Sequence, residues 1–585
     1  MKKIFLFAMV AAALSGCSNS DDTDVQSEVQ PGGEGYVGFS IQLPTVPGTR
    51  ANDEFEDGTP VPDEYKVHNA TMFIFKGTKE ADATFDNAYP MNVNTFVADG
   101  SSTDQCTTEG IVSSKITKPE MTSEEYIYAY VMINSNSMIN LEGKTIGGTS
   151  YDGMKFADFS KIVLTELGEL SSGFVMTNAP VANKVGGTSD PSGATISTLT
   201  KLDANKIFAT QAAAEANPAG EVYMERAAAK VTVALDPSMA ADPGISADPN
   251  VKFDRATIKW TLSNENAQYY NTRQMSSDWL PFHAQGIETK PNIEGTPNAA
   301  TLYRFVSGAA IHDQVYRTYW GKDVNYDTDD TFSVPVTIGE VPGNSVYTFE
   351  NTFDVDHQIV KYSTGVAVSA TFNGSKSFYI ADTYGANKIL QVPGAETGEK
   401  IEEYIMKYLC NNNREFKTWY EADGSNRINV TMTNNTDGTA VVNTITATST
   451  NPLPSSATPA NVNSLIKFQY YAGGVAYYNV LIKHFGDAET PWKRDNHTEN
   501  SIQGVYKTIG STPLSDDLAN NNYLGRYGVV RNNWYKIEII GIRQIGSPTI
   551  DGPVGGGDPD DNVDNYLSVK IHITPWAVRE QSVEL

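Results

Sequence analysis

GYVGFSIQLPTVPGTR, residues 35–50, is the stretch whose reading decides the fold. Val37, Phe39, Ile41 and Leu43 alternate with smaller or polar residues and share one face, the period-2 pattern of a half-buried β-strand. Pro44 ends the strand, and Pro47-Gly48-Thr49-Arg50 makes a loop. A polar, acidic stretch from Asn52 to Asp63 follows. A core-type strand therefore opens the globular part of the chain. An exposed loop whose Arg50 is accessible to a trypsin-like protease joins it to the rest.

Working outward, the pattern repeats. Ala70–Phe75, Tyr126–Ile133 and Phe174–Asn178 are rich in β-formers, whereas Phe156–Leu170 carries helical spacing at Phe159, Ile162, Val163 and Leu167. A Gly/Ser/Thr-rich stretch covers 185–197, and a second unit is expected to open at Glu221, before Glu225-Arg226-Ala-Ala-Ala-Lys230-Val231. Strands are expected there near 255–262, 332–338, 361–372, 429–432, 441–447, 465–468, 475–483 and 535–542. Lys400–Leu409 reads as an amphipathic helix through Ile401, Tyr404, Ile405 and Tyr408. The fold class expected is all-β with few helices.

The end of the chain mirrors its front. Residues 548–565 form an acidic linker with Gly555-Gly556-Gly557. Tyr566–Ile573 then alternates through Leu567, Val569, Ile571 and Ile573; Pro575 interrupts, and Trp576 and Val578 continue. A core-type strand thus sits on a leash.

The first residues read as an export signal. Lys2 and Lys3 precede an apolar run from Ile4 to Leu14, and Leu14-Ser15-Gly16-Cys17 forms a lipobox with Cys17 as the lipidated residue. The run is too short for a span of ~20 residues, so attachment to the outer membrane would depend on lipid. Polar, acidic Ser18–Asp24 follows as a tether, resembling the export signal of surface lipoproteins. At 585 residues the chain has room for two or more domains. Its net charge of −27 argues against nucleic acid and anionic membrane as partners. The composition, with 30 Tyr, 23 Phe, 47 Gly and 28 Pro, suits an extracellular β-rich protein. Cys106 and Cys410 remain after lipidation, and their wide spacing favours two isolated thiols over a disulfide.

Chemistry-bearing motifs are missing. The seven His show no metal-binding spacing, no Cys pair has zinc spacing, and there is no nucleophile elbow, phosphate loop or dinucleotide fingerprint. The reading is non-enzymatic, with no cofactor and no metal. Tyr126, Tyr128 and Tyr130, and the cluster Tyr470, Tyr471, Tyr477 and Tyr478, read first as sandwich packing and only second as a carbohydrate platform.

The lipobox, the early strand with its Arg50 loop, Phe174-Val-Met-Thr-Asn178, Glu225–Val231 and Gly528-Val-Val-Arg531-Asn532-Asn-Trp534-Tyr535 resemble the fimbrillins of Bacteroidia-type bacteria. The acidic linker and the Thr574-Pro575-Trp576 ending resemble most the minor-fimbria shaft subunit, although this chain is longer in its middle. The resemblance implies two transthyretin-like β-sandwich domains that polymerise by strand exchange into a cell-surface pilus supporting adhesion. Carried onto this sequence, it implies a signal peptide over 1–17, a propeptide over 18–50 and cleavage between Arg50 and Ala51. An N-terminal domain over 51–220, a C-terminal domain over 221–547 and a linker with donor strand over 548–585 would follow. Val37, Phe39, Ile41 and Leu43 would lie on the strand removed. Leu567, Val569, Ile571, Ile573, Trp576 and Val578 would lie on the donor that enters a neighbour. Partners implied are other copies of the chain, tip and anchor subunits, and a trypsin-like protease. The alternative is a monomeric, lipid-anchored glycan-binding protein.

Overall fold

The computed structural model describes residues 29–43, 62–93, 109–183, 195–275, 306–312, 315–318, 320–328, 337–341, 343–353, 357, 362–484, 508–509, 512–513, 527–550 and 567–575. The fold is all-β with few helices, as its sequence patterning requires.

Nine strands form the first sheet. They are β1 (Glu34–Gln42), β2 (Ala70–Gly77), β3 (Thr84–Pro90), β4 (Glu109–Thr117), β5 (Tyr126–Ile133), β6 (Met176–Asn178), β7 (Thr200–Leu202), β8 (Ile207–Phe208) and β9 (Gly220–Arg226). The order is β8-β1-β9-β6-β5-β2-β3, with β4 also on β1 and β7 on β5. β2 and β5 are apolar on both faces, and the structure uses both. Met72, Ile74, Ile127, Ala129 and Val131 enter one core with Val37, Phe39 and Ile41. Phe73, Phe75, Tyr128 and Tyr130 enter a second, aromatic core with Phe156 and Phe159.

A second sandwich follows. β10 (Ala229–Leu235), β11 (Phe253–Ser263), β12 (Ser345–Thr348) and β13 (Gly365–Phe372) supply its first strands. Beyond β13, the paired β14 (Phe378–Ala381) and β18 (Phe468–Tyr471) prolong the hairpin, which returns through β19 (Val475–Leu481). β20 (Asn533–Ile542) and the terminal β21 (Leu567–Pro575) complete it. One sheet runs β12-β10-β20-β21 and the other β11-β13-β19. Val231, Val233, Tyr535, Ile537 and Ile539 pack between them against Trp260, Leu262, Val366, Val368 and Val480.

At the tip of the hairpin sits an α/β insertion. Its sheet runs β15-β14-β18-β17-β16, adding β15 (Leu390–Gln391), β16 (Ile428–Asn434) and β17 (Thr439–Ala447). Counting from the short α1 (Phe156–Phe159) and α2 (Gln211–Ala216) of the first unit, the insertion holds α3 (Ile401–Asn412), α4 (Arg414–Ala422) and α5 (Pro459–Leu465). Ile401, Ile405, Leu409, Phe416 and Val462 cover a core of their own with Val430 and Val442. The amphipathic reading of 400–409 is realised as α3.

Three expectations differ from the structure, and a fourth falls mostly outside the described residues. Gly220–Arg226, expected to open the second unit, pairs with β1 and β6 in the first sheet. Phe156–Leu170 is helical only over Phe156–Phe159, because Val163 and Leu164 pair with Tyr270 and Tyr269 as a short strand. Residues 465–468 split between α5 and β18. The Thr458 side chain accepts from Asn461 N, and Pro459 occupies the first turn, which fixes the helix. The strand expected at 332–338 lies over 332–336 outside the described residues.

Candidate functional site: the terminal strands and the junction between them

β1 is an interior strand. One edge pairs with β4 from Glu34↔Thr117 to Gln42↔Glu109, antiparallel throughout. The other pairs with β8 at Tyr36 and Val37, then in parallel with β9 from Phe39↔Gly220 to Gln42↔Tyr223. Val37, Phe39, Ile41 and Leu43 are each 0% exposed. The outer face is covered by α2, which approaches so closely that a Cβ on Gly38 would stand 2.2 Å from Ala214 O. A glycine inside a strand pattern signals such backbone approach, and this was the one sequence sign of the cover.

These burials set a first prediction. Phe39→Ala leaves a cavity in the core that β1 shares with β2 and β5 and is expected to cost about 3–5 kcal/mol in the uncut chain. A urea melt reads it as a lowered midpoint. The same substitution is silent in any form from which residues 18–50 have been removed.

β21 lies on the opposite sandwich as an edge strand. It pairs antiparallel with β20 from Asn533↔Pro575 to Ile542↔Leu567. The two terminal strands are equally long, nine residues each. Their connectivity is also alike in setting: β1 runs parallel to β9, and β10 runs parallel to β20, so each sandwich joins an early strand to a late one.

Between the sandwiches, two stretches singled out by sequence, Glu225–Val231 and Gly528–Tyr535, come together. Asn532 N donates to Ala228 O at 2.7 Å, and Asn532 Oδ1 accepts from Arg226 N at 3.1 Å. The 3-10 turn Pro62–Tyr65, the first described element after the Arg50 loop, inserts here. Glu64 Oε1 accepts from Lys230 Nζ at 2.6 Å and from Tyr347 OH at 2.6 Å, and Glu64 O accepts from Arg226 Nε at 3.0 Å. Lys230 Nζ stands 3.9 Å over the Trp534 ring. Burial pushes the Lys230 ammonium pKa down, and Glu64 pulls it back up. Deeper in, Arg273 pairs with Glu225 and Arg531 with Glu350. Burial works against the Arg531 charge, yet Glu350 and Glu225 together lift its pKa above the ordinary value. Asp323, held by Asn266 Nδ2 and the Asn325 and Thr352 amides, has its pKa raised well above the carboxylate range, by burial first and Glu350 second.

Such a buried pair adds little net stability over an apolar pair of the same volume, but removing one partner is costly. Lys230→Ala strands Glu64 in the junction, with an expected cost of about 3–5 kcal/mol. Lys230→Met, which keeps the volume, is expected to leave the melting temperature much nearer the parent's when Glu64→Gln accompanies it; differential scanning calorimetry separates the two outcomes.

The sequence-derived site residues fall unevenly. Cys17, Arg50, Ala51, Trp576, Val578 and Cys106 lie outside the described residues. Leu567, Val569, Ile571 and Ile573 lie on β21. Cys410 is a free, half-buried thiol on α3. Tyr128, Tyr130, Tyr471 and Tyr478 are buried in cores; Tyr470 and Tyr477 are half-buried, and Tyr126, at 42% exposed, lies under the Lys201 ammonium. Among the described residues no group of His, Cys, Asp and Glu could hold a metal ion, and no helix is long and apolar enough to cross a membrane. Sequence reasoning missed the α2 cover and the Glu64 clamp.

Residues 512–582 match the family described as "Major fimbrial subunit protein type IV, Fimbrillin, C-terminal". No curated protein matches the chain. Among solved structures, the chain is similar to a fimbrilin from Porphyromonas gingivalis W83, at 12% identity, covering 93% of this chain and 99% of that one, with a TM-score of 0.34. It is similar to the tip fimbrial protein Mfa3 of Porphyromonas gingivalis at 9% identity, covering 93% and 100%, with a TM-score of 0.30. A fimbrial assembly protein from Parabacteroides distasonis ATCC 8503 shows 11% identity over 71% of this chain and 99% of that one, with a TM-score of 0.22.

Proposed function

We propose that the chain is a fimbrillin-family protein, a reading supported by the C-terminal family match over 512–582, and that it is a structural shaft subunit that polymerises by strand exchange. It is exported as a lipoprotein through Cys17, cut between Arg50 and Ala51, and joined to other copies when β21 of one subunit takes the place of β1 in the next. The observation that carries this reading is the seating of β1: four fully buried apolar side chains on a strand held between β4 and β9. Loss of that strand exposes an apolar groove and two rows of unpaired backbone groups, a template for strand addition.

The donor fits by pattern. Aligned in the direction of β1, Leu567, Val569, Ile571 and Ile573 replace Val37, Phe39, Ile41 and Leu43 one for one. Each such side chain contributes ~1.5–3 kcal/mol when buried, before ordering costs. Twenty residues from Tyr566 at ~3.3 Å each reach ~65 Å, so Trp576 and Val578 would extend contact beyond the groove. Ser568 would take the place of Gly38, where a Cβ meets Ala214 O. The α2 cover must therefore shift outward on exchange. Gly38→Val is expected to loosen β1 in the precursor, read as faster amide exchange of β1 and α2, without altering fibres built from cut subunits.

The role is structural, with no catalytic step and no cofactor. The glycan-binding alternative draws little support from the tyrosine rows, since Tyr128, Tyr130, Tyr471 and Tyr478 are taken up in cores. Mass spectrometry of the surface-exposed protein tests the proposal: an N-terminus at Ala51 is expected, and a lipidated Cys17 N-terminus on the assembled form contradicts it.

A further inference from the structure

We propose that β16 is an interaction edge that pairs with β16 of a second copy, joining two subunits side by side. β16 ends the sheet of the insertion and, among the described residues, has β17 as its only strand partner. Its seven residues, INVTMTN, hold no charge and no proline. From Ile428 to Asn451 the one ionisable residue is Asp437. The hairpin's register shift gives Thr431↔Thr444 and Met432↔Val442, so the extra residue lies on β17 and β16 stays regular.

A long, neutral, regular edge is what folded proteins ordinarily avoid. The other longer edges described here are guarded or irregular: Val306–His312 pairs with Val315–Thr318 only through two register shifts, and β21 carries Lys570 and ends at Pro575. β3 carries Asp86 and ends at Pro90. β4 carries Glu109 and Lys115 and is bridged by Asn92. β11 carries Asp254, Arg255 and Lys259 and is bridged by Glu340. β19 is bridged by Ser547. β12 and β15 are short, at four and two residues.

Charge selects the occupant. Two chains of net charge −27 repel over most approaches. The neutral hairpin is a surface that each presents without that penalty. The strand is also self-complementary. In an antiparallel pair centred on Thr431, Val430 meets Met432 on the helix-covered face, and Asn429 meets Thr433 on the open face. Ile428 meets Asn434 at the ends. Apolar thus meets apolar at the centre, and exposed Asn meets exposed Thr. The product is a ten-stranded sheet about a two-fold axis, an isologous contact.

The test uses the full, uncut soluble chain (Cys17→Ser), so that strand exchange at β1 plays no part. With Cys106→Ser and Cys410→Ala added, Thr431→Cys places two thiols across the two-fold. Antiparallel partners sit about 4.5–5.5 Å apart at Cα, inside disulfide reach. Thr431→Cys is expected to give a disulfide-linked dimer as its main oxidised product, and Thr446→Cys, one strand inward, is not. Asn429→Cys mixed with Thr433→Cys is expected to crosslink as a heterodimer. In sedimentation, Thr431→Lys is expected to lose the dimer that the parent forms, since like charges would stand opposite each other. Equal crosslinking at 431 and 446, none at 431, or a parent that sediments as a monomer at every concentration would each overturn the proposal.

Discussion

A precursor carrying Arg50→Ala is expected to reach the surface and remain there without exchanging strands, with no fibres visible by electron microscopy. Val37, Phe39, Ile41 and Leu43 are fully buried. At ~1.5–3 kcal/mol each they hold β1 with about 6–12 kcal/mol of apolar burial before ordering costs. While the chain is continuous, β1 also competes at the high effective concentration of an intramolecular segment. A donor from another molecule cannot displace it. Cleavage removes the tether, and dissociation of the cut strand then becomes irreversible by dilution. Size-exclusion chromatography of detergent-extracted protein should show one species, lipid still attached. Fibres from an uncut chain would mean that β1 is not the strand replaced.

Removal of residues 567–585 is expected to have the complementary effect. The chain should be cut normally, start at Ala51, and form no fibres. Among the described residues β21 pairs only along β20, at the edge of its own sandwich. Its loss leaves the strands of both cores in place. A single change on the donor should do most of the same. Ile571→Asp would carry a carboxylate into the groove where Ile41 is fully buried, and an unpaired buried charge costs several kcal/mol or forces protonation. Fibre yield by sedimentation is expected to fall at least about tenfold, since 1.4 kcal/mol already equals a factor of ten. Asn565→Asp, in the acidic linker, serves as a control that leaves yield unchanged.

The sequence made the strands visible where one face alternates or both faces are apolar. β1, β2, β5, β13 and β20 were legible for that reason. Partners were not. β9 looked like the start of a new unit because a run of small residues follows it; its parallel partner, β1, lies some 180 positions away, and local patterns carry no trace of such pairing. Leu164 and Val163 were read as helix because their spacing fits one, yet pairing with Tyr269 and Tyr270 overrides it. The insertion was legible as one helix and two strands and illegible as a unit. Its core is assembled from short segments spread over 379–468. At the site, the burial pattern of β1 was readable, and so were the two junction stretches. The Glu64–Lys230 clamp was not, because a lone Glu in an acidic loop carries no sign of burial.

The proposed assembly turns on one exchange: β21 of one subunit into the β1 seat of another. Mixing two assembly-dead chains measures it. One is uncut Arg50→Ala, which keeps its tail but has a filled seat. The other is cut and lacks 567–585, so its seat is open and it has no tail. Each alone should sediment as a monomer with respect to strand exchange. Together they should exchange strands one to one without building fibres, and the tail of the first should gain protection from amide exchange. If the mixture shows no such exchange, or if either chain alone builds fibres, strand exchange is not how this protein assembles.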